Sequence, residues 1–211
     1  MRTAGGLQQS FDPKEPHELS LKPSGTTPVN RTSGVRPTIR RLTGRDRTEA
    51  LNVINTAAAW YQEFLDHDTV HSPEMDEGAW DAEARRMTWW GAFADGQLIG
   101  VMGCEPAGDA VLMRHAYVLP EYQRKGVGTA LLVHSEQTLP VPVRIVIGTY
   151  AANYKARGNL EKAGYLPSSN SENLLRKYYD IPEERIRTSI AYEKVLRPCT
   201  YESPVSRSVA G

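Results

Sequence analysis

The chain has 211 residues, 25 Lys and Arg against 25 Asp and Glu, and a hydrophobic fraction of 40 %. That length suits one domain with tails, and zero formal charge removes the long-range attraction to polyanions on which nucleic-acid binding rests. The longest charge-free run, Ala50 to Gln62, contains Asn, Thr and Gln and is too short and polar to cross a bilayer. No cationic segment leading into an apolar one follows Met1, so no secretory leader is expected. Cys104 and Cys199 stand far apart, in neither a CxxC nor a zinc spacing, and read as free thiols in a reducing, cytoplasmic compartment.

Residues 1–36 hold four each of Pro, Gly, Ser and Thr, with apolar residues in no period, and are expected to be a disordered tail. Asp12, Glu15 and Glu18 argue against a transit peptide. Residues 198–211 read as a second loose tail, which leaves 37–197 as the domain.

Thr38 to Leu42 is a short strand. Leu51, Ile54, Ala57, Ala58 and Tyr61 follow helical spacing, with Thr43 and Asp46 as a capping pair. Trp80 to Met87 suggests a second helix. Thr88 to Ala94 and Gln97 to Cys104 are strands joined by the hairpin turn Asp95-Gly96. Ala110 to Val118 alternates, placing Val111, Met113, His115 and Tyr117 on one face. Gly126 to Gln137 is helical, Val141 to Ile147 is a β-branched buried strand, and Asn153 to Ala163 is a helix closed by Gly164. Ile186 to Val195 alternates as a last strand. The order β-α-α-β-β-β-α-β-α-β implies a mixed α/β (α+β) sandwich, with a mostly antiparallel central sheet and flanking helices. A C-terminal edge strand, Arg187 to Lys194, could pair across a homodimer.

The chemistry concentrates between Tyr117 and Leu132. A strand stops at Pro120, a basic glycine-bearing loop follows, and an apolar helix opens at once. Gly126 and Gly128 let the backbone turn tightly and approach a ligand. The first-turn N–H groups of the helix then face outward at the positive end of its dipole, a cradle for phosphates. Arg124 and Lys125 add charge. No GK[ST] follows, so it is not a Walker loop, and the GxGxxG of a dinucleotide fold is also absent.

This string resembles the acyl-CoA-binding motif of the GNAT superfamily of N-acetyltransferases. The family pattern Q/R-x-x-G-x-G/A stands here as Gln123-Arg-Lys-Gly126-Val-Gly128, after Val118 and Pro120. Its second block stands as Asn153, Ala156 and Glu161-Lys-Ala-Gly-Tyr165, beginning 30 residues further on. The resemblance implies a GNAT-like acyl-CoA N-acyltransferase fold and an acetyl-CoA cosubstrate. Its diphosphate would rest on the backbone of Arg124, Lys125, Gly126, Val127, Gly128 and Thr129. The pantetheine arm would pair with Tyr117 and Val118 like an added strand, and Asn153 would bond it from the far side. The acceptor implied is a primary amine, either a small molecule or a peptide amino terminus.

Direct transfer needs a base for the ammonium proton and an acid for the thiolate. His115 and then Glu105 are the candidate bases. The family often places its acid Tyr where this chain has Leu160, so either Tyr150 or Tyr154 substitutes or no side-chain acid is needed, a thiolate being a tolerable leaving group. That departure also admits a second reading, a catalytically weakened acyl-CoA-binding or regulatory module. Carboxylates and aromatics between Trp60 and Trp90, among them Glu63, Glu74 and Glu77, could form the wall for a cationic acceptor. His67 and His71 have a helix-compatible metal spacing, but no third ligand accompanies them, so no metal is expected. Tyr178-Tyr179 either closes the core or lines the acceptor pocket.

Overall fold

The computed structural model describes residues 35–65 and 71–198. Most of both expected tails, Cys199, and Asp66, His67 and Asp68 lie outside these residues. The elements are β1 Thr38–Arg41, α1 Arg47–Ala58, α2 Glu77–Ala84, β2 Thr88–Ala94, β3 Gln97–Ala107, β4 Ala110–Val118, α3 Val127–Gln137, β5 Val143–Tyr150, α4 Tyr154–Lys162, β6 Leu166–Pro167, α5 Ser171–Tyr178, α6 Glu183–Arg187 and β7 Ser189–Leu196. They build one open seven-stranded sheet in the order β1-β2-β3-β4-β5-β7-β6. Every pair is antiparallel except β4 with β5.

Local chemistry explains the first half. The Asp46 carboxylate accepts the Thr43 N–H at 2.8 Å and the Thr43 hydroxyl at 3.0 Å, and Arg40 clamps its other oxygen at 2.6 Å. This pair fixes the turn that leads into α1. Asp95 and Gly96 both take positive φ, 50° and 80°, as the two-residue turn between twisted strands demands.

Alternating side chains divide the core into two layers. Val101 and Tyr117 pack with Trp80, Trp89 and the inner face of α1. Met102, Met113 and Ile145 pack on the opposite face with Leu131 of α3 and Leu160 of α4. Leu112 and Val146 point back to the first face, where Tyr178 and Tyr179 cover them.

Three expectations are corrected. The alternation of β4 is broken by a bulge: Val101 pairs with Tyr117 but Gly103 with Arg114, so β4 spends one extra residue. His115 occupies it with φ 54°, so Val111 and Met113 face α3 and α4 while Tyr117 faces α1. Ile186 belongs to α6, not to the last strand. Finally, β7 is not an edge, because Leu166 and Pro167 pair with Glu193 and Tyr192 and leave β1 and β6 outermost. Helices α5 and α6 have no counterpart among the sequence-based elements. Strand β3 runs past Cys104 through Pro106, which places Glu105 inside the sheet.

Candidate active site

The parallel pair β4–β5 is held only at Val111–Ile145 and Leu112–Val146. Beyond Leu112 the strands diverge, and β4 has no strand partner on that side among the described residues. On β5 the orphaned Gly148 N–H donates to the Tyr179 hydroxyl at 2.8 Å. A Cβ at Gly148 would lie 2.9 Å from Leu175 Cδ2 and 3.2 Å from Tyr179 Cζ, so only glycine lets α5 approach this closely. Burial pushes the Tyr179 phenol up to about 12, keeping it protonated.

A cleft of about 790 Å³ fills the divergence, running from the start of α3 past Tyr117 and Val118 to Trp60 and Tyr61. At one end Arg124 (φ 60°) and Gly126 (φ 86°) adopt left-handed conformations and turn the chain into α3. The first α3 carbonyl to be used belongs to Gly126, which accepts from Ala130. The N–H groups from Arg124 to Thr129 have no acceptor among the described residues. Gly128 lines the cleft, and a Cβ there would touch only Val118 Cγ2, at 3.8 Å. Packing therefore does not require glycine at 128; a side chain would stand in the cleft. Gln123 pins the loop by donating Nε2 to the Val118 carbonyl at 3.0 Å.

Across the cleft, Asn153 caps α4 by accepting the Ala156 N–H at 3.0 Å through Oδ1, which leaves its NH₂ as donor. Of the expected binding residues, Tyr117, Val118, Gln123, Arg124, Gly126, Gly128, Thr129 and Asn153 line the cleft. Val127 is buried beneath α3, and Lys125 turns to the Tyr122 ring at 5.4 Å. Lys155, Lys162 and Gly158 also line it and were missed. Their i, i+3 and i+7 spacing on α4 was the available signal. Leu160 contributes an apolar wall where an acid was sought. The thiol of Cys104 is buried in the core, and burial raises it.

The candidate bases fall elsewhere. His115 stacks on Trp89 at 5.3 Å, and its Nε2 faces Glu83 at 3.6 Å, beyond hydrogen-bond reach. Glu105 gives one oxygen to Arg86 and the other to Arg114, each at 2.6 Å. Neither lines the cleft. Tyr150 lies behind Tyr61, with ring centres 5.5 Å apart, and burial raises its phenol.

Glu74 does not line the cleft either, but it touches Tyr117, which does. Its carboxylate accepts the Tyr117 hydroxyl at 2.9 Å, and the Tyr61 hydroxyl stands 3.5 Å from that of Tyr117. Burial, reinforced by Tyr61 and Glu74, drives the Tyr117 phenol well above its ordinary value. Burial likewise takes Tyr61 up to about 12. Both hydroxyls are therefore donors at neutral pH. Among the described residues no group of His, Cys, Asp and Glu could hold a metal ion. No helix among them is long and apolar enough to cross a membrane.

Comparison with solved structures returns this architecture repeatedly. The PaiA N-acetyltransferase of Thermoplasma acidophilum, solved with coenzyme A, superposes with a TM-score of 0.63 at 18 % identity, covering 77 % of this chain and all of its own. The ribosomal-protein-S18-alanine N-acetyltransferase of Escherichia coli gives 0.57 at 17 % identity, covering 80 % of this chain and 99 % of its own. An acetyltransferase of Thermus thermophilus gives 0.56 at 15 % identity, over 78 % and 99 %. No curated protein matches the sequence. At these identities the likeness concerns the fold. The family model described as "Acetyltransferase (GNAT) family" matches the sequence itself over residues 54–165, just over half of the chain, from within α1 to the end of the second motif block. With an open sheet parted between β4 and β5, and a glycine turn facing the gap, the chain belongs to the GNAT family of acetyltransferases.

Proposed function

We propose that the domain, residues 37–197, is an acetyl-CoA-dependent N-acetyltransferase acting by direct transfer to a primary amine. The observation that carries this is the run of unsatisfied N–H groups from Arg124 to Thr129, opening onto the same cleft as the unpaired edge of Tyr117 and Val118. When bound, acetyl-CoA supplies an activated acyl group as a thioester.

The residues of the chain divide the remaining work. The α3 N-terminus, with Arg124 beside it and Lys155 and Lys162 across the cleft, neutralises phosphate charge. The β4 edge at Tyr117 and Val118, whose Val118 carbonyl already accepts from Gln123, and the Asn153 amide hold an extended arm between β4 and β5. Glu74 binds the ammonium and takes one proton from it, and the free amine then attacks the acetyl carbon. As the C–S bond breaks, the nitrogen loses its second proton to solvent, and the thiolate takes a proton from a phenol, which recovers one from Glu74. Tyr117 and Tyr61 lie nearest the cleft for this step, with Tyr150 behind them. His115 and Glu105 hold the bulged strand against α2 and touch no reacting atom.

The test is release of free thiol from acetyl-CoA with a panel of primary amines, alongside calorimetry with coenzyme A. Thiol release together with binding is the expected result; absence of any heat with coenzyme A overturns the reading. Leu160, apolar at the family's acid position, keeps one rival: an acyl-CoA-binding regulatory module, which would bind tightly and release no thiol.

A further inference from the structure

Five arginines among the described residues are partly buried: Arg47, Arg114, Arg144, Arg157 and Arg185. Four are held. Arg47 meets Glu77 and Asp81, Arg114 meets Glu105, Arg144 meets Glu193, and Arg157 meets Tyr192 and the Ala151 carbonyl. Arg185, on α6, has no ion pair and donates no hydrogen bond among the described residues. Its neighbour Glu183 is taken by Arg176 at 3.0 Å. The Arg185 guanidinium stands instead 5.0 Å from the centre of the Tyr150 ring.

Glu74 is its mirror image. Asp46, Glu83, Glu105, Glu136 and Glu193 are also shielded from solvent, and each has a cationic partner. Among the described residues Glu74 alone has none, only the Tyr117 hydroxyl. The two unmatched charges flank one aromatic cluster. Tyr61 stands between them, 6.2 Å from the Tyr117 ring and 5.5 Å from the Tyr150 ring. Glu74 and Arg185 act with opposite sign on the acidity of both Tyr61 and Tyr150, so both charges reach the same space. Neither charge lines the cleft, but Tyr61 and Tyr117 between them do. A partly desolvated charge without a partner is costly, and opposite charges set on either side of such a cluster select a ligand carrying both.

Building on the acetyltransferase reading, we infer that the acceptor amine carries an oxyanion, carboxylate or phosphate, which Arg185 binds while Glu74 holds the ammonium. The acceptor class is thus an amino acid or an amino phosphate rather than a simple amine. The planar fork of arginine suits either oxyanion through paired N–H donors.

The test uses matched pairs with and without the anion: phenylalanine and phenethylamine, lysine and cadaverine, phosphoethanolamine and ethanolamine. Binding to the full chain saturated with coenzyme A is measured by calorimetry, and thiol release is measured with acetyl-CoA. Wild type, Arg185→Gln and the charge-conserving Arg185→Lys are compared. In at least one pair the anionic member is expected to bind ten-fold or more tighter. Arg185→Gln should remove that preference and weaken the neutral member far less, and Arg185→Lys should restore part of it. The pair that responds identifies the oxyanion. Equal binding within every pair, no binding by any member, or a preference that Arg185→Gln leaves intact overturns the assignment. Failure of the underlying reading looks different, because coenzyme A itself would then not bind.

Discussion

The Tyr117 hydroxyl and the Glu74 carboxylate meet at 2.9 Å, joining the strand that borders the cleft to the loop that precedes α2, 43 positions apart in sequence. That bond holds the Glu74 carboxylate beside a strand that borders the gap between β4 and β5. Substituting Glu74→Gln keeps the hydrogen bond to Tyr117 but removes the proton acceptor. Thiol release is expected to fall by about 10²-fold or more, with coenzyme A affinity unchanged. His115→Asn, which tolerates the left-handed backbone at that bulge, should stay within a few-fold of wild type. Steady-state thiol assays on both variants decide between the two bases; the reverse order would return the role to His115.

The two loop glycines should fail in different ways. Gly128→Val adds a side chain where the nearest protein atom is 3.8 Å from its Cβ, so the fold accepts it while the cleft is obstructed. Calorimetry should show at least a ten-fold loss of coenzyme A affinity with little change in melting temperature. Gly126→Ala forces an L-residue to φ 86°, costing about 1 kcal/mol of stability, which thermal or denaturant unfolding would detect.

Tyr179 closes the far side of the gap between β4 and β5. Tyr179→Phe leaves the Gly148 N–H without its acceptor at 2.8 Å, and an unsatisfied buried donor costs about 1–3 kcal/mol. Denaturant midpoints should fall accordingly, and the Gly148 amide should exchange faster with deuterium. An unchanged midpoint would mean that solvent replaces the phenol.

Asp46 gives the fold an acid-sensitive clasp. Its hydrogen bond from Arg40, helped by those from Thr43, holds the carboxyl at about 2 against the opposing effect of burial. Because the folded value lies below the unfolded one near 3.9, the stabilisation is complete above the unfolded value and is lost as pH falls through the folded one. Wild type should therefore lose more stability than Asp46→Asn between about pH 5 and pH 2. At neutral pH the substitution should cost about 1 kcal/mol through the weakened cap. Urea titrations at several pH values measure both.

Much of the fold was legible because its causes are local. Asp95-Gly96 sets a hairpin through the φ values those residues tolerate, Thr43 and Asp46 sit close enough to cap one another, and β-branched Val143 to Ile147 can only serve a buried strand. The glycine turn before α3 was legible for the same reason, and with it the part of the cleft lining between Tyr117 and Thr129. Short polar helices such as α6 carry no periodicity, so Ile186 was absorbed into the alternation of the strand that follows. The β4 bulge was invisible because Arg114, His115 and Ala116 continue an alternating pattern until the register with β3 is known.

By itself, then, the sequence determined the family, the order of its main elements and the backbone cradle at Gly126 and Gly128, all of which depend on residues close along the chain. Tertiary structure alone decided which charges stand around Tyr61 and Tyr117 at the cleft. His115 and Glu105 sit on the right strands but are engaged by Trp89, Arg86 and Arg114. Glu74 and Arg185, 111 positions apart, are brought to one cluster of tyrosines with no ionic partner among the described residues. Whether an ionisable side chain is free to react depends on which neighbours satisfy it, and those neighbours are chosen by packing across the sheet, at separations that local pattern does not encode.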